Sequence, residues 1–509
     1  MKTIKTVLLY PPEQNWPDTM CKPNGSLAYP MLAGALREAG YEVEIFDACV
    51  GNEKDDLSTV FYNSSDLPSG MLKTGVSDER ILEQVKDADL VGITSIFSHQ
   101  ETMVLESVRL IRKHFPDKLI VSGGVNARHR SKLFFDAGVD IICTSEAERT
   151  IIEIVKVLEN NSNDFSHIGL IMEKSKGIIN PVNSGIVWKL DELPLPAWDL
   201  LPNDRYWEIG RPHGGHFKKG TELKYASMMT SLGCPFSCAY CHIALEKEGS
   251  MSGDIGRFRT KSDERVLQEL DILKNKIGVK QVFIEDDSIF GHKKRAIGML
   301  KKISGFGLDI LDVNGVNIIH LLKRGKPDYE VIELLAEVGF TDIVLPFESA
   351  HQRIIRKWCS NKWKVDNIDV EGLVRAIKDS GMRVAANYMI GFPDETREEV
   401  MSTIDFAREN MKYGLDASNF FLVMPLPGTP MFDYAIRNNN LPRDFNPDKM
   451  HWQKANMKNT IIPPEELEEI RNEAWQSINR GNYVNYKKDM VVEDTNTGEI
   501  HTLGTDVDE

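Results

Sequence analysis

The chain has 509 residues, 41% of them hydrophobic, with 61 Lys+Arg against 76 Asp+Glu and a formal net charge of −15 at pH 7. At ~100–200 residues per domain this length allows two to four domains, and the apolar content excludes wholesale disorder. The acidic balance excludes a broad electrostatic grip on nucleic acid or an anionic membrane.

The amino terminus places two lysines before a short apolar run that stops at Pro11-Pro12, which reads as a buried first strand rather than a signal segment. No run approaches the ~20 apolar residues of a membrane span, so the chain is expected to be cytoplasmic. Over residues 1–155, strand-like runs at Thr6–Tyr10, Val43–Asp47, Leu90–Thr94, Leu119–Ser122 and Ile141–Cys143 alternate with amphipathic stretches. Tyr29–Ala39, closed by Gly40, and Glu101–His114, followed by Pro116, carry the expected helix stops. Continuous rather than alternating hydrophobicity predicts a Rossmann-like, doubly wound parallel sheet buried on both faces. Ligands of such sheets sit at the carboxyl ends of the strands, where the chain offers Tyr10, Asp47, Ser95–Gln100, Ser122-Gly123-Gly124 and Ser145–Glu148.

Residues 156–205 read as a proline-rich linker ending in Leu193–Asn203. Residues 206–438 begin a second αβ series, with strands expected at Ala226–Thr230, Gln281–Glu285, Asp312–Asn317, Asp342–Glu348, Val384–Ile390 and Asn419–Met424. Helical patterns follow them, from Ser262–Ile277 to Met431–Asn438, and six such units predict a partial (β/α)6 barrel with its chemistry at the carboxyl-end mouth. Residues 439–509 form a small C-terminal region, helical over Glu465–Asn479 and ending in an acidic run, Val491–Glu509, that reads as disordered or loosely attached.

Seven cysteines, an odd number, do not make a disulfide framework in a chain of this length, and three of them crowd into one loop. Cys234, Cys238 and Cys241 follow directly on the first strand of the second series, at the predicted mouth. Thiolates at these spacings on an irregular loop can converge on one cubane iron–sulfur cluster and leave its fourth iron open. Tetrahedral zinc is the competing reading; it needs a fourth ligand, and His242 is the sequence neighbour of Cys241.

The CxxxCxxC spacing, with Tyr240 just before the last cysteine, resembles the signature of the radical S-adenosylmethionine (SAM) enzymes. Four further segments resemble that family in order: Phe283–Asp287, Leu345–Ala350, Asn387–Thr396 and Pro425–Pro430. Upstream, Pro23–Tyr29, Leu36–Val43 with Asp47, Ser95–Gln100, Gly123-Gly124 and the linker Leu193–Asp199 are similar to the cobalamin-binding domain of one large subgroup. The Asp-x-His-x-x-Gly motif that supplies an axial histidine in many such domains is absent, which implies cobalt held without a protein histidine or with water or another side chain there.

This resemblance implies a [4Fe-4S] cluster on Cys234, Cys238 and Cys241. SAM is then held by Tyr240, Glu285, Asp286, Glu348, Ser349, Asn387, Met389 and Met424, and cobalamin by Tyr10, Ser95, Phe97, Gln100, Gly123, Gly124, Asn126 and Glu146. It implies a cobalamin-dependent methyltransferase: a 5′-deoxyadenosyl radical takes hydrogen from a small-molecule biosynthetic intermediate, and methylcobalamin delivers a methyl group to carbon or phosphorus. A cyclase, a rearrangement enzyme or a methylthiotransferase is the neighbouring expectation, and a cobalamin or iron–sulfur sensor the non-enzymatic one. Cys359 and Tyr388 are candidate catalytic groups as hydrogen donor or relay, against an inert packed thiol and a packing tyrosine. The expected partners are a small-molecule substrate and a one-electron donor such as flavodoxin or ferredoxin, with no nucleic acid and no membrane. The chain is expected to be a monomer or weak dimer.

Overall fold

Strand β1 (Lys5–Tyr10) has five of its six residues buried, and they feed both faces of a sheet. Val7 and Leu9 join one apolar cluster with Ile93 and Val108, while Leu8 and Tyr10 join another with Tyr29 and Ala33. That two-sided burial is why the strands read as unbroken apolar runs. The computed structural model describes residues 4–17, 19–23, 25–174, 177–179, 186–212, 222–247, 249–442, 445–479, 491–493 and 500–502. The chain divides into two compact units, Met1–His213 with Glu246–Ile255, and Gly214–Leu245 with Gly256–Glu509.

In the first unit, helix α1 (Ala28–Glu38), β2 (Glu42–Asp47), β3 (Leu90–Thr94), α2 (Glu101–His114), β4 (Leu119–Gly123), β5 (Ile141–Cys143) and α3 (Glu148–Glu159) follow β1 in βα alternation. Their sheet runs β5-β4-β3-β1-β2, all parallel, and the order reverses at β1 and β3 as in a doubly wound fold. The linker contributes to this sheet as well. Strands β6 (Ile171–Glu173) and β7 (Gly177–Ile179) add to its β5 side, antiparallel. Three-residue edge strands fall below the length at which a periodic pattern can be recognised.

The second unit has β8 (Tyr225–Met228), β9 (Gln281–Ile284), β10 (Asp309–Asp312), β11 (Phe340–Glu348), β12 (Arg383–Ile390) and β13 (Ala417–Leu422) paired in sequence order, all parallel. Helices α4 (Asp263–Asp271), α5 (Lys293–Ile303), α6 (Tyr329–Val338), α7 (Gln352–Trp358), α8 (Val370–Asp379), α9 (Arg397–Lys412) and α10 (Pro430–Arg437) lie between and after them. Strand order that never reverses is the winding of a partial (β/α)6 barrel.

The third strand is three residues earlier than expected: only Asp312 of Asp312–Asn317 belongs to it. Its register follows β9 from Gln281↔Asp309 to Ile284↔Asp312. The chain then turns at Gly315, whose φ of +80° and approach to the Val344 carbonyl exclude a side chain. Helix α7 and the connector after it were not expected either. Helix α11 (Pro464–Asn479) covers the open edge of β13, where Asn479 accepts from the Ser418 N–H at 2.9 Å and donates to its carbonyl at 2.8 Å. Such edge pairing removes the unsatisfied backbone groups that a parallel sheet otherwise exposes. The acidic ending lies outside the described residues apart from Val491–Glu493 paired with Ile500–Thr502. Among the described residues no helix is long and apolar enough to cross a membrane.

Candidate functional site

In the second unit, β8 ends at Met228 and the cysteine loop begins after a two-residue strand, Ser231–Leu232. The loop is braced along its length by backbone donors. Cys234 N–H donates to the Gly256 carbonyl at 3.2 Å, Ala239 N–H to the Trp358 carbonyl at 2.7 Å, and Cys241 N–H to the Cys238 carbonyl at 3.0 Å. Ser237 N–H donates to Ser360 Oγ at 3.0 Å. Such bracing suits a loop that must present several ligands in fixed geometry.

All seven cysteines are free of disulfides. Burial pushes the Cys241 thiol up to about 12, and Asp287, Cys238 and Cys234 add to the shift. A nearby cation would hold that sulfur as a thiolate. A cubane spreads its ligands over separate irons, and three cysteines on one braced loop fit that group.

The strand-end acids divide by their hydrogen bonds. Asp286 is fully buried and committed to the start of the loop: its oxygens accept from Thr230 N–H at 2.5 Å, Thr230 Oγ1 at 2.6 Å and Ser231 Oγ at 2.5 Å. Asp287 accepts from the Gly233 N–H at 2.8 Å. Glu285 accepts from Ser227 Oγ at 2.5 Å and is less buried than Asp286. Asp286 thus anchors the loop, while burial pushes the Glu285 carboxyl up against the bond from Ser227 that lowers it.

At the end of β11, Glu348 sits at φ +65° and accepts from Tyr240 OH at 2.8 Å and Lys362 Nζ at 2.6 Å. Ser349 is fully buried, its hydroxyl 3.2 Å from Thr403 Oγ1 and accepting from the His351 N–H at 3.1 Å. Along β12, Asn387 and Met389 are half-buried on one face and Tyr388 is buried on the other. Asn387 Oδ1 accepts from Asn419 Nδ2 at 3.1 Å, and Met424, just past β13, is half-buried.

Tyr388 faces the helix layer. Its ring stacks on Phe347 at 5.8 Å and Phe420 at 5.4 Å, and its hydroxyl accepts from Asn410 Nδ2 at 3.0 Å. A strand's side chains alternate, so the residue that shares a strand with Asn387 and Met389 points away from them. Cys359 follows α7 and is fully buried; burial first, then Glu348, pushes its thiol up.

In the first unit the strand ends carry a second polar cluster. Asn126 is fully buried and donates through Nδ2 to Ser95 Oγ at 3.0 Å and Glu101 Oε2 at 3.2 Å. Gly124 has φ +98°, and a Cβ there would lie 2.4 Å from the Ser95 carbonyl oxygen. Gln100 is spent on the backbone of Gln14, with N–H···Oε1 and Nε2–H···O bonds of 2.8 Å each. Tyr10 donates to the Ser26 carbonyl and lies 4.1 Å from the Tyr29 ring. Phe97 is half-buried beside His99, Gly123 closes β4, and Glu146 is half-buried after β5.

Arg128 pairs with Glu246, both buried, and donates to the Thr144 carbonyl at 2.8 Å. Four buried atoms at these strand ends have no protein partner: Asn126 Oδ1, Arg128 Nε, Thr144 Oγ1 and Ser145 Oγ. Unmet polar atoms gathered where a doubly wound sheet binds its ligand fit a large cofactor rich in amide groups, as cobalamin is.

Residues 228–407 match the Radical SAM superfamily, and residues 25–155 match the B12 binding domain. The chain carries a radical SAM domain and a B12-binding domain. Its cofactors are accordingly a [4Fe-4S] cluster, SAM and cobalamin. It is similar to an uncharacterized methyltransferase of Pyrococcus horikoshii, 29% identical over 96% of this chain and 93% of that one. It is 24% identical to the cytidylyl-2-hydroxyethylphosphonate methyltransferase of Streptomyces wedmorensis over 80% of this chain and 77% of that one. In fold it is similar to the radical SAM methyltransferase TsrM of Kitasatospora setae, solved with tryptophan and a SAM analogue. The TM-score is 0.63 at 17% identity, covering 86% of this chain and 76% of that one.

Three further residues were not singled out in the sequence, although Glu395 lies within the Asn387–Thr396 segment. Asp312, at the end of β10, is buried with Oδ2 unpartnered, and burial followed by the charge of Asp286 pushes its carboxyl up to about 8. Glu395 is pushed up to about 8 by burial while its Oε2 accepts from the Gly391 and Phe392 N–H groups. Lys362 stands alone in a connector, and nothing in its neighbours' identities marks it.

Proposed function

We propose that this protein is a cobalamin-dependent radical SAM methyltransferase acting on a small-molecule biosynthetic intermediate. What carries the reading is the presence on one chain of a braced three-cysteine loop and, at the strand ends of a separate sheet, a buried polar cluster with unmet hydrogen bonds. Residues 1–155 serve as the cobalamin-binding domain, 156–205 as the linker, 206–438 as the barrel and 439–509 as the C-terminal region.

When bound, the cluster with SAM supplies a radical able to remove hydrogen from carbon, and cobalamin supplies a transferable methyl group. The chain's own residues bind and orient. Cys234, Cys238 and Cys241 hold three irons. Glu285 and Glu348 offer carboxylate oxygens to the charged and hydroxyl groups of SAM by charge-assisted hydrogen bonds, with Asn387, Met389 and Met424 along the same face. Ser95, Gly124 and Asn126 take the cobalamin, Gly124 by letting it approach the backbone closely. The named substrate of the Streptomyces relative makes phosphonates the first class to try. The electron comes from a donor such as flavodoxin or ferredoxin, and the enzyme works in the cytoplasm as a monomer or weak dimer.

The test is anaerobic reconstitution with iron, sulfide and hydroxocobalamin, then reduction with SAM and candidate phosphonates. The expected products are 5′-deoxyadenosine and S-adenosylhomocysteine together, with substrate heavier by one methylene. A product without added methyl would make the protein a cyclase or rearrangement enzyme. Neither nucleoside would leave a sensor.

A further inference from the structure

Lys362 is buried in the second unit, where a lone ammonium is expensive unless paired. Its Nζ donates to Glu348 Oε1 at 2.6 Å, and Tyr240 OH donates to the same oxygen at 2.8 Å. Neither donor uses Oε2. Glu348 itself holds a left-handed backbone conformation, φ +65°, that a residue with a side chain keeps only when its surroundings enforce it.

The connector after α7 does more than carry this lysine. The Trp358 carbonyl, where α7 ends, accepts from Ala239 N–H at 2.7 Å, and Ser360 Oγ accepts from Ser237 N–H at 3.0 Å, both donors lying on the cysteine loop. Trp363 Nε1 donates to the Phe347 carbonyl at 2.9 Å, next to Glu348. One short segment thus touches the cysteine loop at two points and the Glu348 turn at two more.

We infer that Lys362 is a positioning residue: it fixes Glu348 through Oε1 so that Oε2 is offered to SAM, in register with the cysteine loop that the same connector braces. Without the ammonium, Oε1 loses a charged donor that fixes it and the buried carboxylate loses its paired cation, so the side chain is no longer held in the orientation that presents Oε2. The inference rests on the proposed reading of the site as a SAM-binding one.

The experiment measures SAM affinity by equilibrium dialysis, and the reduced cluster's electron paramagnetic resonance with and without SAM, on the reconstituted full chain. The proteins are wild type, Lys362→Met, Lys362→Gln, Lys362→Arg, Glu348→Gln and the Lys362→Met/Glu348→Gln double variant. Lys362→Met should keep its iron and its spectrum without SAM, yet lose roughly tenfold in SAM affinity, the size expected for a hydrogen bond to a charged group. Lys362→Arg should recover most of that loss. In the Glu348→Gln background the lysine change should add nothing. Wild-type affinity in Lys362→Met and Lys362→Gln overturns the inference, and so do losses that multiply in the double variant, since Lys362 would then act independently of Glu348. A wild-type protein that carries its cluster but binds no SAM overturns the functional reading, and this inference with it, before any variant is made.

Discussion

Asp312 allows a quantitative test of how the barrel mouth handles charge. It is buried, its Oδ2 has no partner, and Oδ1 accepts a long 3.3 Å bond from the Asn314 N–H. Nearby, Asp286 accepts from two hydroxyls and a backbone N–H. Two carboxyls in one apolar setting cannot both ionise cheaply, and the one with more hydrogen-bond donors keeps the charge. Asp286 is that one, and Asp312, raised to about 8, stays protonated at neutral pH. Its folded value lies above its unfolded value of 3.8, so between the two the folded state binds the extra proton. The associated stability is fully present below the unfolded value and is lost as pH rises to the folded one. At about 1.4 kcal/mol per pH unit per proton, tapering near the folded value, the loss from about pH 6 to about pH 8 is ~2 kcal/mol. Asp312→Asn cannot ionise and should remove this share. Urea midpoints of the apo chain across that range should fall less steeply for the variant by about that amount. Equal slopes for the two proteins would refute the assignment of the proton to Asp312.

Single Ala substitutions at Cys234, Cys238 or Cys241 should each cut the iron and sulfide retained after reconstitution and abolish SAM cleavage while far-ultraviolet circular dichroism stays unchanged; full cluster retention in any one would remove that cysteine from the ligand set. Gly124→Ala places a Cβ 2.4 Å from the Ser95 carbonyl oxygen at a φ of +98°. It should cost about 2 kcal/mol or more and should lower cobalamin retention without touching iron content, which absorption spectra of the reconstituted protein read directly. Tyr388→Phe removes the hydroxyl that accepts from Asn410 and hydrogen-bonds Ser418 on the helix side of β12. It should cost about 1–2 kcal/mol in unfolding and leave deoxyadenosine formation intact; loss of cleavage in a stably folded variant would return Tyr388 to the site.

The sequence made legible whatever repeats or stands alone chemically. The runs Leu90–Thr94, Ile141–Cys143 and the helix Glu101–His114 have the bounds expected of them, because two-sided burial leaves continuous apolar strings and Pro116 stops the helix. The cysteine loop was legible because three thiols rarely crowd into eight positions of a long chain unless they share a ligand. The third barrel strand was misplaced because Val313-Asn314-Gly315-Val316 looks as strand-like as the residues before it. What ends the strand is a tertiary contact, the packing of Gly315 on Val344, which no local pattern contains. Lys362 was illegible for the same reason. Its partner is 14 residues away, and the pairing exists only because α7 returns the chain to the end of β11.

That return also decides how an acidic mouth can bind an electron-poor ligand. Glu285, Asp286, Asp312, Glu348 and Glu395 all stand at or just beyond the carboxyl ends of β9 to β12. Five free carboxylates there would repel one another and would not survive burial. The fold deals with them singly. Asp286 is stabilised by donors from Thr230 and Ser231, Asp312 and Glu395 by holding protons, and Glu348 by Lys362. Within this set, Glu285, which holds one hydrogen bond from Ser227, and the second oxygen of Glu348 are the acceptors left to a ligand. A ligand that bears a cation and hydroxyls, as SAM does with its ammonium, sulfonium and ribose, gains from both. A phosphonate substrate gains from neither, so it must meet its counter-charge away from these two oxygens. On the proposed reading of the site, charge would separate SAM from an anionic substrate, and Glu285→Gln should weaken SAM binding while leaving the KM for an anionic substrate nearly unchanged. Equal losses for both ligands in a saturation assay would show that the two share this end of the barrel.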